Sequence, residues 1–245
     1  MSYDGYSAIA RVYDRLNKDI DYKKWADFFE ECFSRFLCQK PEIILDLACG
    51  TGRMTREMAA RGYDMIGVDN SPMMLSQAQE KMYDNSLNML FLCQSMTELD
   101  LFGTIDAAVC TLDSLNHLDT PEKIRKAIAN VGLFMNHGGI FIFDVNTIYK
   151  HREILGNNTF VYDCDDVYCV WQNQLNDDNS VEINLDIFEY DDGAYFRESE
   201  GFTEIACPIE DYKKWLSEAE FEVLDIYDEM TFNKLCDTTQ RAVFV

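Results

Sequence analysis

Five short apolar runs, interleaved with stretches of helical spacing, occupy the chain from Glu42 to Asn146, and this alternation restricts its fold more than any other feature. The runs are EIILDLA, YDMIGVD, NMLFLC, IDAAVCTL and IFIFDVN, each the length of a strand buried on both faces. Met54, Met58 and Ala59 mark the inward face of a helix over Thr51 to Arg61, ended by Gly62. Ser71, with Pro72 at the first helical position, starts a second helix through Tyr83. A third covers Pro121 to Met135, and NHGG then turns the chain into the fifth strand. Ahead of the first strand, Trp25, Phe28, Phe29, Cys32, Phe33 and Phe36 space a helix over Tyr22 to Leu37, closed by Pro41. Strands alternating with helices at this pace predict a parallel sheet covered on both faces.

The rhythm changes between Thr159 and Cys207. Val181, Ile183, Leu185 and Ile187 alternate with Glu182, Asn184 and Asp186, and NDDN and YDDG supply hairpin turns. This predicts an antiparallel meander with one wet face. After Pro208 the earlier rhythm returns, with a helix in IEDYKKWLSEAEF and strands in EVLDIYDEM and RAVFV. The expected fold is therefore α/β, a doubly wound, seven-stranded, mostly parallel sheet with a small inserted antiparallel β cap. Residues 1–150 and 208–245 form the main domain, 1–37 its N-terminal lid helices, and 151–207 the cap over a substrate cleft. The Trp171 and Tyr168 pair reads as cap core, and the Asp pairs at 165–166, 177–178 and 191–192 as solvated turns rather than a calcium loop.

Charge narrows the partners. Lys+Arg number 21 against 44 Asp+Glu, a formal charge of -23, which repels phosphate backbones and anionic membrane surfaces. No nucleic acid or membrane partner is expected, and the assembly expected is a monomer or homodimer. The nine Cys include no C-x-x-C pair, and Cys164/Cys169 and Cys32/Cys38 match no zinc spacing, so no metal is expected. Cysteines inside apolar runs, such as Cys93 and Cys110, read as reduced, buried thiols of a cytoplasmic protein. MSYDGYSAIARVYDR carries no apolar signal region, and no apolar run approaches the ~20 residues of a membrane span.

The chemistry concentrates in LDLACGTGR, residues 45–53. In a doubly wound sheet the loop after the first strand lies at the carboxyl edge, where ligands bind. Gly50 and Gly52 allow a tight turn and close approach of a ligand to backbone. A dinucleotide fingerprint wants a third glycine where Thr55 stands, and a phosphate-binding P-loop wants a Lys that does not follow. Asp46 at the strand's end would repel a pyrophosphate and suit a cation, which points to an adenosyl ligand carrying positive charge.

ILDLACGTG resembles the first motif of class I S-adenosylmethionine (SAM)-dependent methyltransferases, which have a Rossmann-like sheet. The resemblance covers nearly the whole chain and is nearest to the bacterial type with a tyrosine-bearing lid and a β cap like that of the glycine N-methyltransferase group. It implies a SAM site built from Asp46, Ala48, Cys49, Gly50 and Gly52 in the loop, and from Asp69 and Asn70 in IGVDNS, where the acidic residue binds the ribose hydroxyls. It adds Met74 in SPMML against the adenine, Ser95 and Met96 at the adenine edge, and Cys110 and Leu112 at the end of the fourth strand. Ser95 stands where members often carry Asp, and its hydroxyl can accept the same hydrogen bond. Tyr6 and Tyr13 in YSAIARVYDRL match the lid tyrosines, whose aromatic faces suit a sulfonium.

These features predict a SAM-dependent methyltransferase acting on nitrogen or oxygen of a small molecule. His117 is the candidate base and Asp113 the second candidate, both in the tail of IDAAVCTLDSLNHL. His151, after the fifth strand, either faces the cleft or lies exposed in a loop, and His137 reads as a turn residue. An RNA methyltransferase and a SAM-binding module without catalysis remain as alternatives. A nicotinamide dehydrogenase is opposed by Thr55 and Asp46.

Overall fold

A computed structural model describes residues 7–81 and 87–245. Tyr6 and the expected end of a helix at Tyr83 lie outside the described residues. Two helices lead the chain, α1 (Ser7–Leu16) and α2 (Tyr22–Phe36). The α/β alternation follows as β1 (Ile43–Leu47), α3 (Arg53–Ala60), β2 (Asp64–Asp69), α4 (Pro72–Glu80), β3 (Met89–Cys93), β4 (Ile105–Cys110), α5 (Pro121–Phe134) and β5 (Met135–Asn146). A meander of β6 (Thr159–Cys164), β7 (Val167–Leu175), β8 (Val181–Asp191) and β9 (Ala194–Glu204) precedes α6 (Ile209–Glu218), β10 (Ile226–Asp228) and β11 (Arg241–Phe244).

The seven-stranded sheet has the order β10-β11-β5-β4-β1-β2-β3. Its central pairings are parallel, and β11 runs antiparallel to both β5 and β10. From β1 the chain winds outward to β3 and then returns to β4 on the other side of β1. The crevice at that reversal opens at the strands' carboxyl ends. Strand parity divides the core. Leu45 and Leu47 of β1 pack with Ile128 of α5 and Tyr212 and Trp215 of α6, whereas Ile44 packs with Phe29 of α2 and Met54 and Met58 of α3. NHGG does not form a separate turn. It is an irregularity inside β5, where the register with β4 jumps from Ile105↔Met135 to Ala107↔Ile140. A Cβ on Gly139 would stand 2.7 Å from the Asp106 carbonyl oxygen, so only glycine passes there without displacement. Cys110 is buried as expected, but Cys93 is exposed, because β3 is the edge strand.

The meander forms a second sheet of order β6-β7-β8-β9. Its apolar stripe, Val181, Ile183, Leu185 and Ile187, is buried against Ile9 and Val12 of α1 and Met74 of α4. The wet face carries Glu182 and Asn184. Cap and main sheet are stitched by Asn116, a fully buried side chain in the turn after β4. Its Nδ2 donates to the carbonyl oxygens of Ile205 (2.7 Å) and Asn146 (3.2 Å), and its Oδ1 accepts from the Asn146 N–H (2.9 Å). The Ile205 N–H returns a bond to the Asn116 carbonyl at 2.8 Å.

Asp46 projects from β1 to the α3 face, where its Oδ2 accepts from the Thr55 hydroxyl at 2.5 Å. Thr55 thus fills the place where a dinucleotide loop would carry its third glycine. Burial pushes the Asp46 carboxyl up to about 7. An unfolded Asp titrates at about 3.9, so between those values the native state holds a proton that the unfolded chain has lost. This group's contribution to stability therefore falls as pH rises from about 4 towards 7. Asp46→Asn is expected to be more stable than wild type at pH 8 by at least about 1 kcal/mol and close to it at pH 4, since a tenfold change in a protonation equilibrium corresponds to about 1.4 kcal/mol. Urea melts at both pH values check this, and a wild-type advantage at pH 8 contradicts it. Asn116→Ala orphans a buried N–H and two carbonyls, each costing about 1–3 kcal/mol. A loss of at least about 2 kcal/mol in the same melts is expected, and a loss under about 0.5 kcal/mol contradicts the stitch.

Candidate active site

A cavity of about 500 Å³ lies at the switch point, walled by the loops after β1, β2, β4 and β5, by α1, and by the cap. That volume is ordinary for a site that encloses a small ligand. One part is bounded by Ala48, Gly50, Asp69, Asn70, Met74, Ser95 and Met96. The other is bounded by Asp113, His117, Asn146, Lys150, Glu204 and Arg241, with Trp171, Leu185 and Phe202 of the cap above.

Asp69 organises the first part. Its Oδ2 accepts the Gly50 N–H at 2.8 Å and its Oδ1 the Ser71 N–H at 2.8 Å, tying the glycine loop to the start of α4. Burial nevertheless raises its carboxyl above the ordinary range. Gly50 adopts φ +53° and lines the cavity, and a Cβ built there meets no atom within 4 Å. A ligand can therefore rest directly on this backbone beside a carboxylate, which suits a nucleoside with free hydroxyls and a cationic group. Tyr13 of α1 lines the cavity near both Asp69 and Asp113, and burial with those charges pushes its hydroxyl well above its ordinary value. Ser95 accepts the Thr97 N–H at 3.2 Å and shares a bond with the Thr97 hydroxyl.

Four residues expected at the cofactor do not line the cavity. Asp46 lies under β1 with Thr55, and Gly52 packs against Phe91, whose ring would stand 2.9 Å from an added Cβ. Cys49 and Cys110 are buried thiols pushed up by burial. Among the described residues, the carboxylates facing the cavity are Asp69, Asp113 and Glu204, not Asp46.

Asp113 is already engaged. Its Oδ1 accepts from Arg241 Nη2 at 2.6 Å, its Oδ2 from Asn146 Nδ2 at 2.9 Å, and its N–H donates to Asp144 Oδ2 at 2.8 Å. Arg241 also bonds Asp144. The guanidinium holds Asp113 well below the usual carboxylate range, so Asp113 fixes geometry and makes a poor proton acceptor. Leu112 and Asp113 both adopt positive φ, +60° and +52°, to bring the next turn inward. That turn carries His117, whose ring centre is 5.0 Å from that of Phe202 and whose Nε2 is 3.6 Å from Glu204 Oε1.

His151 is fully buried rather than exposed, in the helical linker Lys150–Leu155, with Nδ1 2.8 Å from the Asn179 carbonyl oxygen. Lys150 donates to Asn146 Oδ1 at 2.8 Å, and burial lowers its pKa. Trp171 borders the cavity, whereas Tyr168 is 39% exposed on the cap surface. Asp113, His117 and Glu204 offer ligand atoms within 4.8 Å of one another, a set able to hold a divalent ion. Arg241 and Lys150 beside it oppose a further positive charge. Sequence reasoning missed Arg241, Asn146, Lys150 and Glu204. A lone Arg opening the apolar RAVFV, and Asp144 and Asn146 closing an apolar strand, were the legible signals.

Residues 44–139 match the family described as a methyltransferase domain. A candidate methyltransferase of Geobacillus sp. (strain WCH70) is 32% identical over 242 residues, 98% of each chain. The crystal structure of a S-adenosylmethionine-dependent methyltransferase from Clostridium acetobutylicum ATCC 824 superposes with TM-score 0.88 at 35% identity, covering 98% of this chain and 97% of that one. A glycine/sarcosine N-methyltransferase of Parasynechococcus marenigrum (strain WH8102) is 28% identical over 188 residues, 74% of this chain and 66% of its own length. Identities above 30% sustained along virtually the whole length are kinship and not shared architecture alone: the chain belongs to the class I S-adenosylmethionine-dependent methyltransferases, with S-adenosylmethionine as its cofactor.

Proposed function

We propose that this enzyme methylates a nitrogen or oxygen of a small molecule held beneath the cap. The observation carrying the reading is a single cavity that joins the Asp69–Gly50 loop to the His117–Glu204 cluster. When bound, S-adenosylmethionine supplies an activated methyl group on a sulfonium. The remaining work falls to the protein: Asp69 holds the ribose hydroxyls, Met74 and Met96 border the adenine, and Tyr13 turns its ring to the sulfonium. Trp171, Leu185 and Phe202 of the cap exclude water and shape the acceptor pocket. His117 takes the acceptor's proton. The resemblance to a glycine/sarcosine N-methyltransferase supports an amine acceptor, and the charge of -23 supports a small molecule over RNA.

Asp69→Ala is expected to weaken S-adenosylmethionine by about tenfold or more, since a charge-assisted hydrogen bond contributes ~1.5–3 kcal/mol. His117→Ala should leave that affinity within about twofold and lower turnover by at least about tenfold, the lower edge of general-base effects. Calorimetry on both variants, with isotope-labelled cofactor and a library of amines and alcohols, reads both quantities. Unchanged affinity in Asp69→Ala, or unchanged turnover in His117→Ala, removes that residue from its role. Labelled RNA in a cell extract, with no labelled small molecule, contradicts the proposed acceptor class.

A further inference from the structure

Lys150 opens the helical linker after β5 and lines the cavity at the end away from the glycine loop. Its backbone is pinned to the segment before β11. The Lys150 N–H donates to the Thr147 hydroxyl oxygen at 3.1 Å, the Thr147 hydroxyl donates to the Thr239 carbonyl oxygen at 2.6 Å, and the Thr147 N–H donates to the Gln240 carbonyl oxygen at 3.0 Å. Asn146 orients the side chain. Lys150 Nζ donates to Asn146 Oδ1 at 2.8 Å, while Asn146 Nδ2 donates to Asp113 Oδ2 at 2.9 Å and to Glu204 Oε2 at 3.2 Å. An ammonium only donates and the ionised Asp113 only accepts, so the Asn146 amide has one workable orientation.

This ammonium is under-used. Of the chain's 21 Lys and Arg, only Lys150 and Arg241 line the cavity among the described residues. Arg241 is engaged by Asp113 and Asp144. Lys150 forms no ion pair with the described residues, and its one hydrogen bond goes to a neutral amide. Two of its three N–H bonds remain for a ligand. Asp113, Glu204 and Asp144 attract the ammonium from beyond pairing distance, and Arg241 repels it. Burial outweighs the attraction and lowers the Lys150 pKa, as expected for a cation with no anion in contact.

The acceptor end therefore presents two signs. On one side of Asn146 stand Asp113, Glu204 and His117, which suit the hydrogen of an amine or hydroxyl; on the other stands Lys150. An oxyanion that enters an enclosed cavity loses its water and needs charged donors in exchange. Resting on the methyltransferase reading, we propose that Lys150 anchors an oxyanion, a carboxylate or a phosphate, carried by the methyl acceptor itself. Lys150 then selects acceptors that bear such a group a few bonds from the atom to be methylated. Between Lys150 and His117 stand only Asn146 and Glu204, in successive contact, a span that suits a small molecule. The cofactor is held further off. Asp69 ends β2 and Asn146 ends β5, three strands apart in the sheet, or roughly 14 Å at the ordinary strand spacing. The charge of -23 repels anions at long range, so discrimination rests on this local contact.

The test uses the enzyme loaded with S-adenosylhomocysteine and three probe sets on matched carbon skeletons. One set is amino and hydroxy acids, one the corresponding phosphonates, and one the corresponding amines and alcohols with no anionic group. By calorimetry, at least one oxyanion probe should bind wild-type enzyme at least about tenfold more tightly than its uncharged counterpart, the effect of one charge-assisted hydrogen bond. The stronger of the two oxyanion sets identifies the group. Lys150→Gln, whose amide can still donate to Asn146, should reduce that preference to within about threefold, and Lys150→Arg should keep part of it. Both variants should bind S-adenosylhomocysteine within about twofold of wild type and melt close to it. The wild-type comparison needs no variant. Equal or weaker binding of every oxyanion probe than of its counterpart overturns the proposal, as does a preference that survives in Lys150→Gln. A loss of cofactor affinity with the preference intact assigns Lys150 to the cofactor's own carboxylate and overturns it as well. Labelled S-adenosylmethionine separates the two readings. Methyl transfer to acceptors with no oxyanion preference leaves the transferase reading standing without the anchor. A Lys150-dependent preference with no methyl transfer to any probe keeps the anchor and removes the transferase reading.

Discussion

The guanidinium of Arg241 between Asp113 and Asp144 is the interaction on which the carboxyl edge of the sheet depends. It joins the antiparallel strand β11 to β5 and to the turn after β4, across 97 and 128 positions of chain. One cation shared by two buried carboxylates divides their behaviour. Asp113 is held ionised by Arg241, whereas burial and the neighbouring Asp113 charge raise Asp144. Removing one member of such a cluster costs about 3–5 kcal/mol, because the others are left buried and uncompensated. A chain of polar contacts runs from it: Asp113 accepts from Asn146, Asn146 donates to Glu204, and Glu204 lies beside both histidines.

The roof is fastened differently. Arg11 pairs with Glu198 and Arg15 with Asp166 and Glu189, joining α1 to the cap, while Asp14 accepts from Thr51 at 2.6 Å and from Lys81 at 2.7 Å at the glycine-loop side. These pairs are partly exposed, and such contacts contribute about 0.2–1 kcal/mol each. The carboxyl edge of the main sheet is thus held by a buried cluster, whereas α1 and the cap add partly exposed ion pairs to their buried apolar contacts and to the Asn116 stitch. Raised ionic strength weakens these ion pairs before the Arg241 cluster, because screening acts on exposed charges and hardly on buried ones.

What the sequence made legible follows from distance along the chain. The glycine loop, Asp69 and the start of α4 lie within thirty residues, and periodicity placed all three at one edge. The alternation at Val181 to Ile187 placed a wet and a dry face on the cap. Asp46 misled because both faces of β1 are buried, so its strand parity, opposite to Leu45 and Leu47, carried no visible polarity. The partners of Asp113 and His117 were illegible for another reason. Arg241, Asn146, Lys150 and Glu204 come from separate segments and meet through the insertion of the cap and the antiparallel return of β11. Single polar residues in apolar strands, such as Arg241 and Asp144, hinted at buried pairs without naming the partners. His151 could not be separated from a loop histidine until the linker proved helical and buried.

The central claim is that one cleft brings the cofactor's reacting end to the His117–Glu204 cluster. A crystal structure with S-adenosylhomocysteine, the demethylated product, tests it most directly. The account predicts both ribose hydroxyls on the Asp69 carboxylate, the adenine beside Met74 and Met96, and the thioether sulfur directed into the space bounded by Tyr13, His117 and Glu204. A ligand whose ribose leaves Asp69 untouched, or whose sulfur points away from His117, would contradict it.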